Sequence, residues 1–318
     1  MNSGTENFAP VIIPTLCRYE HFRDCLESLM GCTHADETDV YVGLDYPAKE
    51  AHWDGYRKIS DYLDSIADSH NFKSLNVIRR ERNYGFGPAG NTSELRRFVL
   101  SLTDTLIFTE DDNIFSPAFL DYINKGLREF RTDSSVLAIN GYRHFYGVKS
   151  DGSTFFRQNV DFSAWGYGIW KDRVERYTKE LSDRNYLMRK ALNPLTWVRL
   201  YRNGLNRCLD FIAILRGHSN RITDNTLSVY MAINGMDVVM PCENLVRNMG
   251  WDNSGENCRD VDDIGHRHMT QPMSERDDFE FAGTGFEFYR VNRRIYRRES
   301  YGRVRFSDFI KRILKHLS

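Results

Sequence analysis

The stretch Thr105-Leu-Ile-Phe-Thr-Glu-Asp-Asp112 joins a short apolar run to three adjacent carboxylates. The run of residues 106–108 is typical of a buried strand. Ser116-Pro117 follows a few residues later and predicts a helix start, with Ser116 as the N-cap and proline at the first helical position. The sequence therefore predicts a strand, an acidic turn and a helix in succession.

The acidic turn Glu110-Asp111-Asp112 is the sharpest chemical feature of the chain. Three adjacent carboxylates repel one another and gain no packing, so a hard divalent cation is their natural partner. The alternative is a solvated turn that caps the next helix. The apolar strand before the turn and the helix after it favour the cation.

Three further strand and helix patterns precede this unit. They are Ala9–Ile13 followed by an apolar helical spacing at Phe22, Cys25, Leu26 and Leu29, then Asp39–Gly43 followed by Trp53–Ile66, and Leu75–Ile78 followed by Asn91–Leu102. Four β-α units in succession predict an α/β fold, with a mainly parallel sheet flanked by helices.

Polar residues stand where three of these strands end. They are Thr15 and Arg18 after the first strand, Asp45 after the second and the acidic triplet after the fourth. In open α/β sheets, ligands bind beyond the carboxyl ends of the strands. We therefore expect these side chains to converge on one crevice.

Composition excludes some classes of protein. The 318 residues include 43 basic and 44 acidic side chains, for a formal charge of -1, which excludes a chain whose whole surface binds a polyanion. Residues 290–318 nevertheless hold ten basic and two acidic residues, a net charge of +8. No nucleic-acid recognition motif accompanies this basic tail, so we expect no nucleic-acid partner.

The cysteines and the amino terminus indicate the cellular compartment in which the protein is expected. The six cysteines form no C-x-x-C pair, which favours reduced thiols, and the polar start of the chain lacks the regions of a signal peptide. No run of apolar residues is long enough to span a membrane. We expect a cytoplasmic protein.

In order along residues 9–260, the motifs resemble the nucleotide-sugar half and the acceptor segments of GT-A glycosyltransferases, in particular bacterial family 2 enzymes. There is also a likeness to the family 13 N-acetylglucosaminyltransferases. The residues that carry the resemblance are Val11-Ile-Ile-Pro-Thr15 with Arg18, Asp45, Arg82-Asn83-x-Gly85, the acidic triplet, Ala164-Trp-Gly-Tyr-Gly-Ile-Trp-Lys171 and Leu245-Val-Arg-Asn-Met-Gly250.

The resemblance implies roles for the acidic triplet. Asp112 is where the family places the direct ligand of Mn²⁺ or Mg²⁺ that bridges the two donor phosphates. Asp111 and Glu110 would support the sugar, the ribose or a metal-bound water. A bound divalent cation would stabilise the charge that develops on the departing diphosphate.

The resemblance also implies a donor pocket. Asp45 matches the acid that reads the uracil ring, Arg18 matches a base or phosphate contact, and Thr15 lies in the same first loop. Asn83 and Asn91 bracket a glycine-rich segment that lines the donor pocket in the family. A structural turn is the equal alternative for that segment.

A glycosyl acceptor must lose a proton as it attacks, which calls for a general base. Asp224 is the candidate, because it precedes a helical pattern at 227–233 and lies where the resembled families carry such an aspartate. Asn225 occupies the position of a second acid in some relatives, so the register could differ by one residue. As a sequence feature alone, Asp224 is equally a helix N-cap.

The acceptor side is less specific in sequence. Trp165 and Tyr167 stand beside glycines, where flat rings suit stacking against a sugar, and core packing is the alternative. Residues 172–220 have helical apolar spacing and predict an insertion that shapes the acceptor site. His266 and His268 could supply a metal or phosphate contact, although surface histidines are the simpler interpretation.

The carboxyl-terminal pattern at 306–317 predicts a basic amphipathic helix. One interpretation is a peripheral anchor to an anionic membrane surface, which would bring the enzyme beside a lipid-carried glycan. The other is a terminal helix packed on its own domain or on a dimer partner.

These patterns predict a catalytic region at 1–289, divided into a nucleotide-sugar half at 1–130 and an acceptor half at 131–289, and a tail at 290–318. The predicted function is a metal-dependent, inverting glycosyltransferase of bacterial surface polysaccharide synthesis. It would move a hexosyl or N-acetylhexosaminyl group from a UDP-sugar to a glycan or a lipid-linked acceptor. The alternative function is a non-catalytic nucleotide or polyanion binder held at a membrane by its tail.

Overall fold

An eight-stranded sheet forms the centre of the computed structural model, which describes residues 8–144, 153–217, 223–252, 254 and 263–281. The strand order is β3-β2-β1-β4-β8-β6-β9-β7, and β10 and β5 form a separate two-stranded ribbon. The strands are β1 (Val11–Thr15), β2 (Asp39–Leu44), β3 (Ser74–Arg79), β4 (Thr105–Phe108), β5 (Asn113–Phe115), β6 (Val136–Asn140), β7 (Phe155–Gln158), β8 (Tyr167–Trp170), β9 (Asp237–Pro241) and β10 (Val246–Asn248).

The first half of the sheet is parallel, as predicted. Strands β3, β2, β1 and β4 all run in the same direction. They are connected by helices α1 (Tyr19–Met30), α2 (Trp53–Ser65) and α3 (Asn91–Leu102). The first three predicted β-α units and the α/β fold class are therefore confirmed, whereas β5 separates the fourth strand from its helix.

Burial on both faces explains why β1 is apolar without alternation. Val11 and Ile13 pack into one hydrophobic cluster with α1, whereas Ile12 packs on the opposite face with Leu95 and Val99 of α3. Successive side chains of a strand point to opposite faces, so a strand covered by helices on both sides must be apolar at every position.

The second half of the sheet is mixed. Strand β8 is antiparallel to both β4 and β6, whereas β9 is parallel to β6 and antiparallel to β7. The predicted helical insertion comprises α5 (Lys171–Ser182), α6 (Arg184–Leu192), α7 (Pro194–Arg202) and α8 (Leu205–Leu215). Helices α6, α7 and α8 pack on α9 (Thr223–Asn234) around a cluster of their own, which includes Leu200, Phe211 and Val229.

The predicted helix start at Ser116 is wrong. Residues 113–115 form β5, and helix α4 (Phe119–Glu129) begins later, with no side-chain cap at Ala118. The Ser116 hydroxyl instead donates a hydrogen bond of 2.7 Å to the carbonyl oxygen of Ser274. A distant backbone acceptor thus replaces the local cap, because β5 pairs with β10 and holds this segment extended.

Helix α10 (Asp263–Thr270) is the last described helix, and the predicted tail helix at 306–317 lies outside the described residues. None of the described helices combines the length and the apolarity that a bilayer crossing requires. Five cysteines lie within the described part of the chain and form no disulfide bond there: Cys17, Cys25, Cys32, Cys208 and Cys242.

Candidate active site

The order in which strands are added to the sheet changes direction between β1 and β4. From β1 the chain proceeds outward through β2 and β3, and it then returns through α3 to place β4 on the other side of β1. Helices α1 and α3 consequently cover opposite faces. Such a switch point opens a crevice at the carboxyl ends of the strands, which is the usual ligand site of an open α/β sheet.

Side chains from both strand ends meet at this switch point. The Thr15 hydroxyl donates to Oδ2 of Asp111 at 2.8 Å, and Nη1 of Arg18 donates to Oδ2 of Asp112 at 2.8 Å. Nη2 of Arg18 also bonds to Oδ1 of Asp111. One guanidinium therefore bridges two buried carboxylates, and the structure brings four of the predicted site residues into direct contact.

Strand β10 holds Asp112 from the opposite side. Nδ2 of Asn248 donates to Oδ1 of Asp112 at 2.7 Å, and the Met249 N–H donates to the Asp112 carbonyl at 2.8 Å. A Cβ atom at Gly250 would lie 2.1 Å from Oδ2 of Asp112, so only glycine allows this approach. The sequence pattern identified the segment around Gly250 but gave Asn248 and Gly250 no role.

A cavity of about 450 Å³ opens beside Arg18 and Asp112. It lies between the start of α1 and the segment after β10, where Nε2 of His21 lies 2.9 Å from Oδ2 of Asp252. Small-molecule sites typically occupy roughly 300–1,000 Å³, so this cavity is large enough for a ligand that contacts both charged groups.

Burial and charge act against each other at these acids. Desolvation raises the pKa of Asp112 above its ordinary value, and the charge of Arg18 opposes that rise. Desolvation also raises the pKa of Glu110 well above its ordinary value, with further contributions from the charges of Asp112 and Asp224. Glu110 thus lies within electrostatic reach of both the bridged acids and Asp224.

Asp224 lies in the first turn of α9, and its carboxylate reaches across to another loop. Oδ1 accepts a hydrogen bond of 2.7 Å from the Ala164 N–H, and no donor in the described part of the chain reaches Oδ2. Burial raises the pKa of Asp224 to about 7, although the Ala164 N–H and the charge of Arg207 oppose the shift. The Asp224 side chain thus bonds to the Ala164 loop, and its role as a general base stays a prediction.

The neighbouring Asn225, the other position that the resemblance allows, has a different partner. Its Oδ1 accepts a hydrogen bond of 2.9 Å from Nη1 of Arg207. The amide therefore fixes the guanidinium that lies near Asp224, and which of the two positions matches the aspartate of the resembled families stays a prediction.

Asp45 organises the glycine-rich segment. Its Oδ1 accepts from the N–H groups of Tyr46 and Tyr84 at 2.9 and 2.8 Å, and its Oδ2 accepts from the Gly85 N–H at 2.9 Å. Nδ2 of Asn83 donates to the Tyr46 carbonyl at 2.6 Å. Asp45 thus ties the loop to the end of β2, and its contact with a nucleobase stays a prediction.

The side chain of Asn91 bonds to neighbouring elements of the fold, which favours the structural alternative for this residue. Its Nδ2 donates to the Gly43 carbonyl at 2.6 Å, and its Oδ1 accepts from Nε of Arg80 at 2.9 Å. The buried amide locks the start of α3 against β2.

The two predicted acceptor aromatics lie in the interior. Tyr167 is 1% exposed in β8 and packs against Phe108 and Phe162, with ring centroids 5.3 and 4.9 Å away. Trp165 is 9% exposed and packs edge-on against Tyr142 at 4.7 Å. The geometry favours the packing alternative for both rings, while the backbone beside Trp165 holds Asp224.

The two histidines of α10 differ. His266 is exposed, as expected for a surface histidine. His268 is buried, and its Nδ1 lies 2.6 Å from the Tyr142 hydroxyl, so the surface interpretation is wrong for this residue. It also stacks on Trp251, with ring centroids 4.9 Å apart.

The acid pair suits a divalent cation that binds together with a phosphate ligand. Asp111 and Asp112 offer hard carboxylate oxygens that already face a positive charge on Arg18. The described residues contain no group of three His, Cys, Asp or Glu side chains that could cage a metal alone. Mg²⁺ usually binds one or two carboxylates and completes its shell with substrate phosphates and water, so the donor set fits.

Comparison with protein-family models gives no match. Comparison with curated proteins gives none either.

Several solved structures resemble the fold. S. aureus TarS 1-349 is 15% identical with a TM-score of 0.42, covering 75% of this chain and 59% of that one. A second S. aureus TarS structure is 16% identical with a TM-score of 0.36, covering 54% of this chain and 29% of that one. The mannosyltransferase PcManGT from Pyrobaculum calidifontis, in complex with GDP-Man and Mn²⁺, is 13% identical with a TM-score of 0.34, covering 73% and 77%. The chain thus spans less than two thirds of the length of the TarS chains.

Proposed function

We propose that this chain is a metal-dependent glycosyltransferase that moves a sugar from a UDP-sugar to a hydroxyl group of an acceptor. One observation carries the proposal. Arg18 bridges Asp111 and Asp112 at the switch point, and desolvation and the charges of both Asp112 and Asp224 raise the pKa of Glu110. The metal-binding acids are thus coupled to Asp224, a carboxylate whose pKa is about 7. A group transfer that expels a diphosphate and removes a proton needs these two kinds of site together.

The donor half uses the residues at the ends of β1 and β4. Asp111 and Asp112 would hold Mn²⁺ or Mg²⁺, and the bound ion would stabilise the negative charge of the departing diphosphate by several kcal/mol. Thr15 and Asn248 orient the two carboxylates through the bonds described above. Arg18 favours the ionised form of Asp112, because its charge opposes the desolvation that raises the pKa of that acid.

The acceptor half depends on Asp224. Oδ2, which no donor of the described residues reaches, can take the proton of an acceptor hydroxyl, while the Ala164 N–H holds the other oxygen in place. As the acceptor oxygen bonds to the anomeric carbon, the bond from that carbon to the diphosphate oxygen breaks and the proton passes to Asp224. A single displacement of this kind inverts the anomeric configuration.

The finer assignments rest on the sequence resemblance. It favours UDP over other nucleotides, a hexosyl or N-acetylhexosaminyl group as the transferred sugar, and a glycan or lipid-linked acceptor of bacterial surface polysaccharide synthesis.

A donor panel tests the proposal. Incubation with UDP-glucose, UDP-galactose and their N-acetylated forms, with Mn²⁺ present, should release UDP from at least one donor. Chelation of the metal with EDTA should abolish that release, because the acids at the switch point require the ion to hold the diphosphate. Release is measured by coupled detection of UDP, with heat-denatured protein as the blank. Equal release in EDTA would contradict a metal-dependent site.

A further inference from the structure

Helices α6 and α7 expose an unusual amount of apolar surface. Eight large hydrophobic side chains are exposed among the described residues, and five of them belong to this helix pair. We call these five the apolar face: Met188, Leu192, Leu195, Val198 and Tyr201. Leu192 is 78% exposed and Tyr201 is 65% exposed. Several large apolar side chains exposed on two successive helices are typical of an interaction site.

The apolar face is separate from the core that the helices already serve. Leu187 of α6 and Leu200 of α7 are buried against α8 and α9. Each helix therefore already packs one side on the hydrophobic core. Met188 and Leu192 are four residues apart on α6, and Leu195 and Val198 are three apart on α7, which gives each helix an outward apolar stripe. The exposed stripes need another partner.

Charge identifies that partner. Residues 184–202 contain five basic side chains and no acidic one. Arg184, Arg189, Arg199 and Arg202 are all exposed, and none of the four forms an ion pair with an acidic side chain in the part of the chain that the structure describes. Apolar side chains surrounded by uncompensated arginines match the interface of an anionic lipid bilayer.

We propose that α6 and α7 dock this protein on an anionic membrane surface, with the apolar face inserted at the headgroup boundary and the arginines on the lipid phosphates. A second copy of the chain fits less well, because a two-fold interface would set five positive charges against the same five. The proposal uses none of the residues of the proposed transfer site, and it stands or fails independently of the proposed transfer chemistry.

Vesicle flotation of the full chain tests the proposal. Wild-type protein should float with vesicles of phosphatidylcholine and phosphatidylglycerol and should stay unbound with phosphatidylcholine alone. The triple variant Leu192→Ser, Leu195→Ser, Tyr201→Ser should bind the anionic vesicles at least about tenfold more weakly, because it removes the most exposed apolar contacts. Added salt should weaken wild-type binding.

A matched variant controls for exposed apolar surface in general. Phe98→Ser, Leu102→Ser changes two exposed side chains of α3, which are 46% and 57% exposed, and should leave flotation unchanged. A Phe309→Ser, Ile313→Ser variant measures the share of the tail. Equal flotation of the triple variant and wild type, or loss in the tail variant alone, would overturn the proposal. A wild-type dimer that the triple variant converts to monomer without any vesicle binding would also overturn it.

Discussion

Asp224→Asn should lower the rate of sugar transfer about 10²–10⁴-fold and leave UDP binding near that of wild type. Asparagine keeps an oxygen for the Ala164 N–H but cannot accept the acceptor's proton, so the geometry survives and the base is lost. Turnover is measured as UDP release with saturating donor, and binding by calorimetry. Asp104→Asn, an exposed acid just before β4, is the matched control and should behave as wild type.

The pH dependence separates a catalytic role of Asp224 from a structural one. Because burial raises its pKa from 3.8 to about 7, the wild-type rate should rise with pH through about 7. The same shift affects stability. Between about pH 4 and about pH 7, Asp224 is ionised in the unfolded chain but still protonated in the folded chain, so the stability of the wild type relative to Asp224→Asn falls as pH rises through this range.

Asp224→Asn should therefore melt at the wild-type temperature near pH 4 and above it at pH 8. Thermal unfolding at the two pH values measures this difference. A variant that is both less stable at pH 8 and less active would indicate a structural role, and an unchanged rate would exclude Asp224 as the base.

Asp112→Asn should weaken metal-dependent UDP binding by at least about a hundredfold, which corresponds to about 3 kcal/mol. The substitution removes a charge from the acid pair but keeps an oxygen for the amide of Asn248. Calorimetric titration with UDP in the presence of Mn²⁺ measures the loss, and Asp104→Asn again serves as the control. Metal-independent binding of equal strength in Asp112→Asn and wild type would remove the donor site proposed here.

A second variant reaches the same carboxylate without changing it. Gly250→Ala places a methyl group where Oδ2 of Asp112 lies 2.1 Å away, so the carboxylate or the segment after β10 must shift. Metal-dependent UDP binding should weaken in this variant as well. Unchanged binding would show that the position of Asp112 does not matter for the ligand.

Local periodicity predicted most of the elements that build the crevice. The helix at Tyr19–Met30 follows from apolar residues at helical spacing, and Phe22, Cys25 and Leu26 are buried as that spacing requires. The alternation of strands and helices then places the ends of β1, β2 and β4 on one edge. These features depend on neighbours in sequence, which is why the pattern was sufficient.

Contacts between distant residues could not be predicted in the same way. Ser116 has the local pattern of an N-cap, but its hydroxyl bonds to a residue 158 positions away. Asn248 meets Asp112 across 136 positions because β10 pairs with β5. Trp165 and Tyr167 stand beside glycines, a pattern that predicts rings exposed to a sugar. Both rings are buried, because other parts of the fold cover them, and the sequence alone does not show that cover. Tertiary packing decides each of these cases.

The most direct test of the central claim is a crystal of the wild-type protein grown with UDP and Mn²⁺, with data collected at the manganese absorption edge. We predict an anomalous peak at the carboxyl end of β4, in contact with Asp112 and next to the diphosphate. A nucleotide bound elsewhere, or bound at this crevice without an anomalous peak beside Asp112, would contradict it.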